Sequence, residues 1–286
     1  MTMKNIQMWI TMELKNISRI MCVGPSRINE TMVTLSFDSN LIPHIDKTYI
    51  FSPYSQETFD NLFEQFSIDS SKFTILDDQY FEQYYNLTFW RDKNWFKQQA
   101  FKLCALDHFD SDVFLIQDSD IVLLEPFEYI KNDKLNFKAE DVWNPFQEIY
   151  AQWVEKIIGM NRKENVSLVN ELMPYFKSDW VELKQHIEDK HQTDFLSAIA
   201  NLKTFHEDQW FSEYELLGIY KTHLDNNWFC TKWQSQPPID SWEDFYNVDW
   251  KQHHSIKFHT KPLKFMTVQE ALDITKHIKE NYVRNN

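Results

Sequence analysis

Val113-Phe114-Leu115-Ile116-Gln117 runs straight into Asp118-Ser119-Asp120, and the apolar residues Ile121 to Leu124 follow. A short apolar run with no helical period reads as a strand covered on both faces. Strands of that kind belong to parallel sheets layered with helices, so this one segment constrains the fold more than any other. Side chains alternate along an extended chain, which sends Asp118 and Asp120 one way and Ser119 the other. Two carboxylates at the carboxyl end of a buried strand make a poor core and a good seat for a hard divalent cation. That end of the strands is also where open α/β sheets bind ligands. Asp110-Ser111-Asp112 has the same spacing but precedes the strand, at its opposite end, and reads as a solvated loop.

Other segments fit the same architecture. Strands are predicted at Ile17 to Val23, Thr48 to Phe51 and Phe73 to Leu76. Helices are predicted over Gln56 to Phe66, with Phe59, Leu62, Phe63 and Phe66 at i, i+3, i+4, i+7, and from Asn94 through Cys104. Alternation of strands and helices indicates an α/β fold with a mostly parallel sheet flanked by helices. Residues 140–200 read as mostly helical, at Phe146 to Ile158, Val166 to Met173 and Trp180 to Ile187, and a closing helix spans 267–283. The expected organisation is one domain over 1–286: a ligand-binding half (1–130), a helical insertion (131–205), and a final segment (206–286).

Composition narrows the chemistry. Lys and Arg number 29 against 43 Asp and Glu, a formal charge of −14, which argues against a nucleic-acid partner. Only Gly24, Gly159 and Gly218 are present, so neither a P-loop nor a G-x-G-x-x-G turn exists. Phosphate must be met by a cation, by Lys, or by helix N-termini. Cys22, Cys104 and Cys230 show no C-x-x-C spacing and read as small buried hydrophobes. No apolar stretch reaches membrane-spanning length and the N-terminus lacks a signal pattern, so a cytoplasmic protein is expected. The 11 Trp, 12 Tyr and 23 Phe supply a large core, and composition does not mark out any ring as a ligand-stacking surface.

Several candidates surround the D-x-D. The loop after the first strand brings Ser26 and Arg27 to the ligand end of the sheet. Gln98, Gln99 and Lys102 are the polar members of the helix before Val113, with Gln98 and Lys102 on one face. Asp208 and Glu213 lie in an acidic, aromatic segment and are candidate bases. In Ile256 to Pro262, His259 and Lys261 would point the same way, suited to a cation and a phosphate; His253 and His254 compete for the former role.

Together these motifs resemble a GT-A-fold nucleotide-sugar glycosyltransferase with a Rossmann-type sheet. More narrowly, they resemble an uncharacterised group of bacterial and viral polysaccharide glycosyltransferases with an aromatic-x-x-QQ-x-x-K-L helix, a D-x-D, and F-S-E-Y-E-L-x-G downstream. Here those are Trp95 to Leu103, Asp118 to Asp120, and Phe211 to Gly218. Phe258 to Pro262 is also similar to the tail motif of glycogenin-like transferases, in which His binds metal and Lys the diphosphate. The resemblance implies a metal-dependent transferase that moves a sugar from a UDP- or GDP-sugar to a glycan or lipid-linked acceptor, in surface polysaccharide or glycan synthesis. Asp118, Asp120 and His259 would hold Mn²⁺ or Mg²⁺. Gln98, Gln99, Lys102, Ser26 and Lys261 would bind the donor, and Glu213 or Asp208 would act on the acceptor. The alternatives are a metal-dependent phosphohydrolase or nuclease using Asp118, Asp120 and Glu125, and a non-catalytic carbohydrate-binding module.

Overall fold

A computed structural model of the chain describes residues 16–37, 45–87, 94–131, 134–141, 145–163, 166–169, 172–201, 211–224, 228–232, 241–258 and 266–282. In chain order the first half gives β1 (Ile17–Cys22), α1 (Ile28–Leu35), β2 (Lys47–Ser52), α2 (Gln56–Phe66), β3 (Phe73–Asp77), α3 (Asp78–Tyr84), α4 (Asn94–His108), β4 (Val113–Asp118) and β5 (Ile121–Leu123). The second half gives β6 (Ile130–Lys131), β7 (Lys134–Asp141), α5 (Pro145–Ile158), β8 (Val166–Ser167), β9 (Leu172–Phe176), α6 (Lys177–His191), α7 (Phe195–Asn201) and α8 (Glu213–Leu224). It closes with β10 (Trp228–Lys232), α9 (Trp242–Asn247), β11 (Ser255–Lys257) and α10 (Val268–Asn281).

The main sheet has the order β3-β2-β1-β4-β9. Its first four strands are parallel, and β9 lies antiparallel on β4. All six residues of β1 and the first five of β4 are buried, which requires cover on both faces. Helix α4 packs on β1 and against α6 and α8, while α1 packs on β5, α2 and α10. The predicted α2 forms as its periodicity demands: Phe59, Leu62, Phe63 and Phe66 are buried, and Ser55 caps the start by accepting from Thr58 N–H. A capping box of Thr267 and Glu270 starts α10.

One segment departs from its expected form. Val166 to Met173, read as helix, gives instead the short strand β8 and the start of β9. Pro174 sits inside β9 and opposes Leu115. A proline has no N–H to donate, so it suits an edge strand that bonds on one side only. Two of the three expected helices form, as α5 and α6, α7 is a further one, and β9 gives the main sheet its last strand. Strand β7 pairs with β6, β8 and β10 in a separate small sheet. The apolar run after the D-x-D becomes β5, which pairs antiparallel with β11. That pairing returns the C-terminal part of the chain to the carboxylates.

Candidate active site

The register of the parallel strands sets out one row of residues at their carboxyl ends. Cys22 lies beside Asp118 on one side and Phe51 on the other, and Phe51 lies beside Leu76. A cleft of about 390 Å³, counting space open to solvent, lies at this edge. Its walls are Cys22 to Pro25, Phe51, Asp78, Lys97, Gln98 and Phe101. Burial pushes the Cys22 thiol up to about 12, so it is no nucleophile. The Asp78 carboxyl is also raised by burial, and its Oδ1 has no hydrogen-bond partner among the described residues.

Asp118 is held from beneath. Its Oδ1 accepts from Lys102 Nζ and, at 2.8 Å, from the Tyr214 hydroxyl. Lys102 also donates to the Tyr214 oxygen at 3.2 Å and pairs with Glu213 Oε1 at 2.6 Å. Gln99 Oε1 accepts the Glu213 N–H at 3.2 Å, tying α4 to the start of α8. Burial works against the charge on Lys102, but Asp118 and Glu213 outweigh it and hold the ammonium protonated. Burial raises the Glu213 carboxyl, with the Lys102 charge opposing. The side chains of Lys102 and Glu213 are 2% and 0% exposed, against 32% for Asp118.

These positions redistribute the expected roles. Gln98 faces the cleft, whereas Gln99 and Lys102 are buried and act through Glu213 and Asp118. Glu213, expected as a base, has no surface to offer an acceptor, and a base must come within hydrogen-bond reach of its proton. Here it is the counter-ion of Lys102. Ser26 is exposed in the turn after β1. Asp208, His259 and Lys261 lie outside the described residues.

Asp120 follows in the turn. Ser119 points inward, 7% exposed, and its carbonyl accepts from Thr34 Oγ1 at 3.1 Å. Phe258 N–H donates to the Asp120 carbonyl at 2.8 Å, so His259 is the next residue after one bonded to the D-x-D. The Arg27 guanidinium donates to the Phe258 carbonyl at 2.9 Å and lies 3.7 Å from Asp120 Oδ2. Neither Arg27 nor Tyr214 has a local sequence sign of its contact with the D-x-D; the Tyr214 bond spans 96 residues.

The two carboxylates fit a cation of the Mg²⁺ type, which takes one or two protein carboxylates and completes its shell with water and phosphate. They are both partly exposed at the sheet edge, and the bonds from Lys102 and Tyr214 to Asp118 both fall on Oδ1. Among the described residues no three His, Cys, Asp or Glu side chains gather as an all-protein metal cage would need. Glu125, the third carboxylate of the hydrolase alternative, sits beyond the far end of β5 and bonds His254 Nδ1. Asp118, Asp120 and Glu125 are all among the described residues and do not come together as a group that could share an ion.

Comparison with solved structures places this arrangement in a known fold. An active-site mutant of LgtC aligns over 94% of this chain and 97% of its own, with TM-score 0.51 and 10% identity. The apo form of the bifunctional glycosyltransferase WbbM aligns over 96% of this chain, with TM-score 0.52 and 10% identity. The chain spans 53% of the WbbM structure. The fold is therefore GT-A, a mostly parallel Rossmann-like sheet flanked by helices. A comparison with curated protein sequences found no match. Residues 37–276 match the profile of a family of unknown function (DUF6492), and the chain belongs to that family.

Proposed function

We propose that the protein is a metal-dependent glycosyltransferase that uses a nucleotide-diphosphate sugar. The observation that carries this reading is the row at the sheet's carboxyl edge: Asp118 and Asp120 at one end, Asp78 at the other, and the cleft between. Three strand spacings separate β3 from β4, about 14 Å, a span suited to an extended nucleoside diphosphate. The nucleoside would lie in the cleft against Phe51, Gln98 and Asp78, whose Oδ1, with no hydrogen-bond partner among the described residues, can accept from a donor N–H or O–H. The diphosphate would reach the D-x-D, with Ser26 and Arg27 on the loop above it.

Asp118 and Asp120, with His259 next to Phe258, would hold Mn²⁺ or Mg²⁺ in this reading, and Lys261 would meet phosphate. When bound, the cation supplies charge compensation for the departing diphosphate. Lys102 and Tyr214 fix the Asp118 carboxylate so that its geometry is set before the donor arrives, which is where preorganised electrostatics gain their effect. Glu213 keeps Lys102 charged. Asp208 remains the candidate base for a glycan or lipid-linked acceptor, and surface polysaccharide synthesis is the setting we favour. Among the described residues no helix is long and apolar enough to cross a membrane. The hydrolase alternative is disfavoured because Glu125 does not gather with Asp118 and Asp120 into a three-ligand group.

The test is release of UDP or GDP from a panel of sugar nucleotides, with Mn²⁺ and with a chelator. Release from one donor, lost with the chelator and in Asp120→Asn, supports the transferase. Phosphomonoester cleavage with the same Asp120 dependence, and no nucleotide released from any sugar nucleotide, supports the hydrolase.

A further inference from the structure

Arg27 occupies a position that the cation reading makes contentious. Its Nη2 faces Asp120 Oδ2 at 3.7 Å, where a bound divalent cation would add its own positive charge. That separation is longer than the 2.7–2.9 Å of a charge-assisted hydrogen bond, so the guanidinium compensates the carboxylate without being locked to it. The other nitrogen is fixed: Nη1 donates to the Phe258 carbonyl at 2.9 Å and lies 3.5 Å from Glu30 Oε1. Phe258 is itself bonded through its N–H to the Asp120 carbonyl. One side of the planar fork is thus anchored beside the D-x-D, and the other side is close to it and only partly buried, at 18% exposure for Arg27 and 20% for Asp120.

We infer that Arg27 is an exchangeable counter-ion of Asp120. Without a cation its Nη2 balances the carboxylate. When a divalent cation takes Asp120, the two positive charges repel, and Nη2 turns about the Nη1 anchor toward the donor's diphosphate. A guanidinium is suited to that second partner, because its fork matches phosphate oxygens. Cation and nucleotide would then bind cooperatively: the charge displaced by the first becomes a ligand for the second. The inference rests on the sugar-nucleotide reading for its second half only.

The test is Mn²⁺ titration of the full chain by electron paramagnetic resonance, comparing wild type with R27Q and R27K, first alone and then with UDP or GDP. Removing a unit charge at this distance, screened by water, should tighten Mn²⁺ binding in R27Q roughly five- to tenfold when no nucleotide is present. R27K keeps the charge and should bind Mn²⁺ as wild type does. With nucleotide present, R27Q should lose the cooperativity, so that UDP or GDP no longer tightens Mn²⁺ binding beyond the ligation its own phosphates provide. Glutamine can still donate to the Phe258 carbonyl, and a melting curve checks that R27Q is folded. Equal or weaker Mn²⁺ binding by R27Q without nucleotide overturns the exchange and leaves Arg27 a clamp on Phe258. Wild type that takes no Mn²⁺ overturns it as well. Wild type that binds Mn²⁺ but neither nucleotide counts against the sugar-nucleotide reading, and the exchange then stands or falls on the nucleotide-free titration.

Discussion

Replacing Lys102 by Met keeps the stem as far as Cε and removes the charged amine. Glu213, with no exposed surface, then loses the cation 2.6 Å away. Asp118 is a third exposed and can turn to water for compensation, so the cost concentrates on Glu213. Breaking a buried ion pair from one side costs about 3–5 kcal/mol. For a chain of this size that is a fall in Tm of roughly 5–8 °C. Lys102→Met with Glu213→Gln removes both charges and should recover most of the loss, a coupling that a double-mutant cycle measures directly. The pH dependence has a definite sign. Burial raises the Glu213 carboxyl above 4.5 with Lys102 opposing, so removing Lys102 raises it further. Above pH 4.5 the unfolded chain has released this proton while the folded Lys102→Met chain retains it. Stability of the single variant therefore declines as pH rises from about 4.5, until the buried carboxyl itself ionises. The double variant lacks that slope. Urea unfolding at pH 5 and pH 8 gives both quantities. A Lys102→Met penalty under about 1 kcal/mol, or the same penalty at both pH values, would refute the claim that a buried charge pair supports Asp118.

Tyr214→Phe deletes the 2.8 Å hydrogen bond to Asp118; it should cost about 1 kcal/mol in urea unfolding and weaken any metal-dependent nucleotide binding seen by calorimetry. Gly218→Ala would place a Cβ 3.1 Å from Leu168 Cβ and closer still to its Cδ1, so about 1–3 kcal/mol of overpacking cost is expected in the same assay. Arg162 bonds buried Glu215 at 2.7 Å and the Gln147 carbonyl at 2.8 Å, apart from the D-x-D. Arg162→Met should therefore cost about 3–5 kcal/mol yet leave nucleotide affinity in the folded protein within about twofold, and Glu215→Gln should relieve it.

The parallel sheet was legible because its strands are mostly apolar and separated by segments of helical period. Strand β4 and its terminal carboxylates follow from local pattern alone, as does the amphipathic face of α2. Strand β9 was not legible, since Leu172 to Phe176 adjoins an apolar stretch that fits a helix equally well, and only pairing with β4 decides between them. Lys102 shows the same limit at the site. Its neighbours Gln98 and Gln99 suggest a solvated or ligand-facing surface, whereas Glu213 and Tyr214 fold over it from 112 residues downstream in the case of Tyr214. Partners so distant leave no mark near Lys102, so a buried ion pair and an exposed lysine look alike in the sequence. The F-S-E-Y-E-L-x-G run has a physical reading once folded: Glu213 and Tyr214 brace the Asp118 support, Glu215 faces Arg162, and Gly218 makes room for Leu168.

The most direct measurement is the thermal stability of the wild-type chain and Asp120→Ala with UDP, GDP, CMP and their sugars, each with and without Mn²⁺. A ligand that binds the folded chain alone raises Tm by mass action, by about 2.7 kcal/mol of added stability at a hundred times Kd. The account predicts a rise with UDP or GDP that requires Mn²⁺ and disappears in Asp120→Ala. If no nucleotide shifts the wild type at saturating concentration, or if the same shift persists in Asp120→Ala, the D-x-D edge is not a metal-dependent nucleotide site.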